Sequence, residues 1–391
     1  MINKRKIGNT NIEVSELGFG CAPLGGWPVA VSDQDANLSL ETAWSKGIRY
    51  FDTAPLYGSG MSEKRLGNFL QKQKREDFVI STKVGRLIVD TKKSKAVEKF
   101  IGSPQDKDSV FNFTYDGAVQ SIEDSLKRLG LDKIDILYLH DPDNHPEHFE
   151  DAKKGAVKAM IQLRDEGVVK AIGCGMNQNE MLIEFAKEGC FDCFLLAGRY
   201  TLIDQTSLDE LIPVCQKNNI SLVLGGVFNS GILIDPSPNT YFDYSKLDNN
   251  WNKNLTESLV RKPKNFETAE YWLQKAYKLR DACEKFSLEL KHAAIKFPYG
   301  NSLVSSCLLG MTSSKQVNEN YELYNKNYYL LFDNFENFKE EDIYIYDDLV
   351  IVSDFNENEH SNDIPSTEIL KNLIQFKINK EHISIKIKLF L

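Results

Sequence analysis

Eight short apolar runs, each followed by a loop and then an amphipathic stretch, recur through most of this chain. That alternation limits its fold more than any other feature. The predicted strands are Leu17 to Gly20, Arg49 to Asp52, Phe78 to Lys83, Ile134 to His140, Val169 to Gly173, Cys193 to Leu196, Ser221 to Gly225 and Val304 to Leu309. Most are apolar on both faces, as parallel strands covered by helices must be. Because no Rossmann glycine fingerprint accompanies them, the pattern predicts a closed sheet: an α/β protein, a (β/α)8 TIM barrel over residues 1–325.

Helix boundaries support the same architecture. Ser32 is positioned to cap a helix that runs to Lys46, with Gly47 just past its end. Val119, Ile122, Leu126 and Leu129 form a 3-4-3 apolar stripe that stops at Gly130. Ahead of the first strand, Arg5 to Ile7 and Ile12 to Val14 flank Gly8-Asn9-Thr10-Asn11, which predicts an N-terminal β-hairpin able to cover the bottom of the barrel. Two segments break the repeat. Pro236 to Phe266 lacks a period and sits where an active-site lid could lie; Lys326 to Asp363, within a C-terminal region 326–391, is acidic and aromatic together.

A formal charge of −9 without a basic stripe argues against nucleic acid and anionic membranes as partners, and no apolar run is long enough to span a bilayer. The expectation is a cytoplasmic protein acting on a small molecule, its oligomeric state open. Seven scattered cysteines fit reduced core thiols better than a disulfide framework. His140, His145 and His148 share no helix face, and Cys190 and Cys193 lack a second ligand pair, so no metal site is expected.

Polar residues stand where apolar strands stop, the end at which a β/α barrel opens its catalytic mouth. Asp52, Lys83 and His140 each close a predicted strand, Asn177 follows another, and Tyr57 lies five residues beyond Asp52. Any one of these alone is more often a surface pair or a satisfied structural group; together they can converge. A tyrosine with a pKa of about 10 is a poor base near neutrality, but an adjacent ammonium favours its phenolate. Lys83 can supply that charge, Asp52 can hold Lys83 in place, and His140 can bond the substrate oxygen.

At these residues the sequence resembles the aldo-keto reductase superfamily. The matching motifs are Phe51-Asp52-Thr53-Ala54-Pro55-Leu56-Tyr57-Gly58 with Ser62-Glu63, then Ser81-Thr82-Lys83, then Ser125-Leu126-Lys127-Arg128-Leu129 leading to Leu139-His140, then Gly173-Cys174-Gly175-Met176-Asn177. The resemblance implies a nicotinamide cofactor and a catalytic tetrad of Asp52, Tyr57, Lys83 and His140. Gly175 to Gln178, Leu196 to Leu202 and Gly225 to Gly231 are similar to the aldose dehydrogenase branch, which acts on sugars such as L-fucose, D-threo-aldoses and L-galactose, with pyridoxal 4-dehydrogenase nearby. That branch implies oxidation of an anomeric hydroxyl to a lactone.

By the same resemblance, Asn177 binds the nicotinamide carboxamide, and Gly226, Val227, Phe228, Asn229, Ser230 and Gly231 wrap the pyrophosphate. Gly310, Gln316, Glu319 and Asn320 lie at the adenosine end. Independently of the resemblance, Trp27 or Asp141 is expected to line the substrate pocket. Gly310 and Gln316 stand where members that prefer a phosphorylated cofactor carry cations, and neither can neutralise a 2′-phosphate of roughly two negative charges. NAD is therefore favoured, with Lys315 keeping NADP open. Two rivals remain: an NADPH-dependent aldehyde or ketone reductase using the tetrad in reverse, and a non-catalytic cofactor-sensing barrel.

Overall fold

A computed structural model of the chain describes residues 2–98, 100–144, 146–237, 269–284, 288–326, 345–346 and 349–350. Beyond Ser237 the expected lid lies outside the described residues. So does the C-terminal region after Lys326, apart from a two-rung antiparallel pair, Ile345–Tyr346 with Leu349–Val350.

The chain opens with an antiparallel hairpin, β1 (Lys4–Lys6) and β2 (Glu13–Ser15), in which Lys4 faces Ser15. Ile7 N–H closes on Ile12 O at 3.0 Å, so the pair encloses the four-residue loop expected, Gly8 to Asn11, and both isoleucines are buried. The barrel strands follow: β3 (Leu17–Gly20), β4 (Tyr50–Asp52), β5 (Val79–Val84), then after an inserted hairpin β8 (Ile136–His140), β9 (Ala171–Met176), β10 (Cys193–Ala197), β11 (Ser221–Gly225) and β12 (Val304–Gly310). They pair in parallel in that order, and β12 returns to β3 to close the ring. All eight predicted strands are present. The fifth begins two residues later than expected and runs three further, to Met176.

Helices coat the outside. α1 (Asp33–Ser45) starts at Ser32, whose hydroxyl accepts the Asp35 N–H at 3.0 Å, a cap that contributes about 1 kcal/mol. α2 is Met61–Leu70, and α3 (Tyr115–Leu129) ends on Gly130 in the left-handed conformation. Alternation continues with helices at 149–165, Glu180–Ala186, Leu211–Asn218, Ala269–Glu284, Leu290–Lys296 and Ser314–Asn325.

The barrel interior at the N-terminal end is plugged as predicted. Ile7, Ile12 and Val14 of the hairpin pack on Tyr50, Ile136, Tyr138, Ala171, Cys193 and Val223. Bulky tyrosines fit on the barrel axis because neighbours are small: a Cβ on Gly173 would lie 2.6 Å from the Tyr138 ring. The sequence pattern did not reveal the insertion after β5. There β6 (Arg86–Asp90) and β7 (Lys107–Phe111) form an antiparallel hairpin at the C-terminal end of the barrel. Its tip reaches across the mouth, where Ile101 N–H bonds Gly26 O at 2.9 Å.

Candidate active site

Four strand and loop positions converge at that mouth. Lys83 sits on β5 with its ammonium 2.6 Å from Asp52 Oδ2 and 2.8 Å from the Thr53 carbonyl. Both ends of this ion pair are almost wholly buried. The same ammonium lies 4.8 Å from the centre of the Tyr57 ring, and His140 meets that ring edge-on at 5.8 Å. The separation of 31 residues between Asp52 and Lys83 is closed by adjacent strands, since Asp52 pairs in register with Ser81.

Tyr57 owes its place to a tight turn. Gly58, Ser59 and Gly60 all have positive φ, and Gly58 lies against Gly25 so closely that a Cβ at either position would strike the other's backbone. Next to the turn, α2 is pinned from its first residues. Ser62 Oγ donates to the Cys21 carbonyl at 2.7 Å, and buried Glu63 accepts from Thr82 Oγ1 at 2.8 Å and Arg128 Nε at 2.6 Å. Ser62-Glu63 thus joins the Tyr57 loop to β3, β5 and α3.

Burial pushes the Tyr57 phenol up, to about 12, and the Lys83 ammonium only partly offsets this. The expected lowering by Lys83 is therefore present but smaller than the cost of desolvating a phenolate. Burial also opposes the charge on Lys83, yet Asp52 and Tyr57 together hold its pKa above the ordinary value. Asp52 is pushed up by burial, against the pull of Lys83 and Ser81. Two donor contacts from Lys83 favour the charged pair.

Above this set lies Asp141, expected at the pocket, with partners that the motifs did not reveal. Asp141 adopts a positive φ of 46°, its N–H held by Gly175 O at 2.9 Å, and its Oδ2 stands 3.4 Å from His140 Nε2 and 3.3 Å from Arg86 Nη2. Arg86 stacks on Phe111 at 3.7 Å, and Phe100 packs 6.2 Å from Tyr57, so the inserted hairpin supplies one wall. Behind Asp141, Gln178 Nε2 donates to Asp143 Oδ2 at 3.1 Å. Burial, then the nearby Asp141 charge, raises Asp143 to about 7. Only an inserted arginine next to a Lys-x-Gly turn could have hinted at Arg86. Trp27 follows the turn Ala22–Gly25, at the rim to which the hairpin tip bonds.

The residues expected to hold a cofactor line the mouth from β9 to β12. Asn177 follows β9 directly, with its carbonyl held by Arg199 Nε at 2.8 Å. After β11 the backbone enters a run of left-handed residues, Gly226, Asn229, Ser230 and Gly231, with Val227 and Phe228 between them. Gly226 is crowded too, since a Cβ there would lie 3.3 Å from Gly198 N, and a chain without side-chain bulk leaves N–H groups accessible to a pyrophosphate. At the far end, Ser313 caps the helix Ser314–Asn325 by accepting Gln316 N–H, while Gln316 Oε1 accepts Thr312 N–H at 2.8 Å. Gln316 Oε1 is thus spent on Thr312, the residue before the cap, whose hydroxyl also donates to it at 3.0 Å. Asn320 is buried with its Oδ1 unbonded among the described residues, and Glu319 lies 3.6 Å from Lys291. Gly310 ends β12 exposed. A left-handed cradle and an orphaned amide oxygen fit a dinucleotide.

Of the three histidines near 140–148, His140 faces this site, His148 stands beside Asp151, and His145 is outside the described residues. Among the described residues there is no group of three or more His, Cys, Asp or Glu side chains able to hold a metal, and no helix long and apolar enough to cross a membrane.

The Aldo/keto reductase family profile matches residues 16–329. The chain belongs to the aldo/keto reductase family. This aldo/keto reductase is 38% identical to the pyridoxal 4-dehydrogenase of Microbacterium luteolum, over 81% of this chain and 91% of that protein. It is also 38% identical to the D-threo-aldose 1-dehydrogenase of a Pseudomonas species, over 80% and 89% respectively. In fold it is similar to an aldo-keto reductase from Bacillus halodurans, with a TM-score of 0.60 at 21% identity, covering 84% of this chain and 92% of that one. The aldo/keto reductase is therefore a nicotinamide-dependent oxidoreductase acting on CH–OH groups, with sugar-like substrates among its relatives.

Proposed function

We propose that this aldo/keto reductase is an NAD-preferring dehydrogenase that oxidises the anomeric hydroxyl of a fucose-, galactose- or arabinose-like aldose to a lactone. The observation that carries the proposal is the Lys83 ammonium held between Asp52 Oδ2 and the Tyr57 ring, with His140 edge-on to that ring. A bound nicotinamide would supply the acceptor for the hydride leaving the anomeric carbon. Tyr57 takes the proton of the hydroxyl, so the lactol loses two electrons and two hydrogens and becomes a lactone.

Lys83 offsets part of the cost that burial adds to forming the phenolate, and Asp52 keeps Lys83 charged and aimed. His140 orients the reacting oxygen. Asp141, braced by Arg86, accepts a bond from a neighbouring hydroxyl of the sugar, and Trp27 closes the pocket from the opposite rim. Asn177 would hold the carboxamide, Gly226 to Gly231 the pyrophosphate, and Glu319 with Asn320 the adenine. Gln316, occupied with Thr312, and Gly310 offer nothing to a 2′-phosphate, which supports NAD over NADP. Seven free thiols suit a reducing cytoplasm.

Absorbance of reduced cofactor, followed with NAD and with NADP over five- and six-carbon aldoses and pyridoxal, tests the proposal. Turnover of at least one aldose, faster with NAD, is expected; activity confined to NADPH-driven reduction of simple aldehydes overturns it.

A further inference from the structure

Three buried hydroxyls and a thiol in the barrel interior are bonded in series. Ser81 Oγ bonds Asp52 Oδ1 at 2.6 Å, Tyr50 Oη lies 3.1 Å from Ser81 Oγ, Tyr138 Oη 3.2 Å from Tyr50 Oη, and Cys193 Sγ 3.5 Å from Tyr138 Oη. All four side chains are buried, and the line runs from the mouth down to the apolar plug beneath the N-terminal hairpin.

The protons in this line have one direction. An ionised Asp52 can only accept, so the Ser81 proton is committed to it. Ser81 must then accept from Tyr50, Tyr50 from Tyr138, and Tyr138 from the Cys193 thiol. Burial raises the pKa of both phenols and of the thiol, so each keeps its proton and stays a donor. Hydrogen bonds aligned head to tail in a low-dielectric interior polarise one another, and all of that polarisation ends on one carboxylate oxygen.

We infer that Ser81, Tyr50 and Tyr138 are positioning residues that hold Asp52 anionic from the side opposite Lys83, and so keep the Lys83 charge available to Tyr57. No proton travels along the line. Without it Asp52 becomes more basic and draws the ammonium proton towards itself, and Tyr57 loses more attraction from Lys83 than repulsion from Asp52. Among the described residues, the other charged or titratable groups facing this set are Cys21 just after β3, His140 from β8, Asp141 beyond it and Arg86 from the inserted hairpin; all are unchanged by the substitutions below.

The inference rests on Tyr57 as the proton acceptor, and its test separates the two ideas. S81A, Y50F and Y138F are prepared with carbon-13 at the aspartate carboxyl and nitrogen-15 at lysine Nζ, and the Asp52 and Lys83 signals, assigned with D52N and K83M, are followed by NMR at neutral pH without cofactor. In parallel, kcat is measured between about pH 7 and 9. The Asp52 carboxyl signal should move towards its protonated position and kcat at each pH should fall, by about tenfold for S81A and progressively less for Y50F and Y138F, with S81T restoring both. If S81A does not fold, the two phenylalanine variants, each lacking a single oxygen, give the same ordering. Unmoved signals, or changes that do not decline with distance from Asp52, overturn the inference. Moved signals with an unmoved kcat leave the line intact and instead remove Tyr57 from the reaction.

Discussion

The imidazole of His140 meets the ring of Tyr57 at 89°, with ring centres 5.8 Å apart. In the proposed reaction a substrate hydroxyl placed between them would touch the proton acceptor and the orienting group at once, as oxidation of an alcohol requires. Replacing Tyr57 with phenylalanine keeps the ring and removes only the acceptor. Y57F is expected to lower kcat by about 10²–10⁴-fold while the dissociation constant of the cofactor stays within about threefold, by stopped-flow and fluorescence titration. Retention of most of the turnover rules out the role.

Charge balance within the barrel predicts a second result. D52N leaves the Lys83 ammonium buried beside a neutral amide and should cost about 3–5 kcal/mol in urea unfolding. The double variant D52N/K83M removes both charges and should be less destabilised than the sum of its parts, by about 1 kcal/mol or more. Additive losses indicate that the two charges do not interact.

Asp143 gives a pH dependence whose sign follows from burial. Its folded-state pKa is raised to about 7, so the native state holds the proton more tightly than the unfolded chain does. That contribution is complete below about pH 4 and fades as pH climbs through 7. D143N should therefore flatten the decline in unfolding free energy over this window. Near pH 8 it should be more stable than the parent by on the order of 1–3 kcal/mol. Parallel stability profiles for the two proteins contradict the assignment.

Cofactor choice is predicted to turn on Gly310 and Gln316. G310K with Q316R places cations at the adenosine end, and affinity for NADP should rise by about tenfold or more while that for NAD changes little. The helix will lose the Gln316 contact to Thr312, and a Cβ at 310 will press on Pro23 at 3.0 Å, so a melting temperature a few degrees lower is expected as well. An unchanged ratio of the two affinities places the discriminating contacts elsewhere.

Local chemistry was enough to make the barrel legible. Eight doubly apolar strands, the Ser32 cap and the Gly130 stop follow from periodicity and backbone preference, which act within a few residues. Asp52, Lys83 and His140 were visible for the same reason, as polar ends to apolar runs. What needed three dimensions was every relation between strands. The Arg86 to Asp141 contact spans 55 residues and depends on a hairpin with no barrel periodicity. The line from Cys193 to Asp52 passes through Tyr50 and Tyr138, which in sequence are merely aromatic strand residues. The lowering of the Tyr57 pKa by Lys83 could be named from a motif, but the larger rise from desolvation could not, because it depends on everything packed around the group. Sequence shows which groups a strand presents; only closure of the barrel decides which of them share a dielectric and a proton.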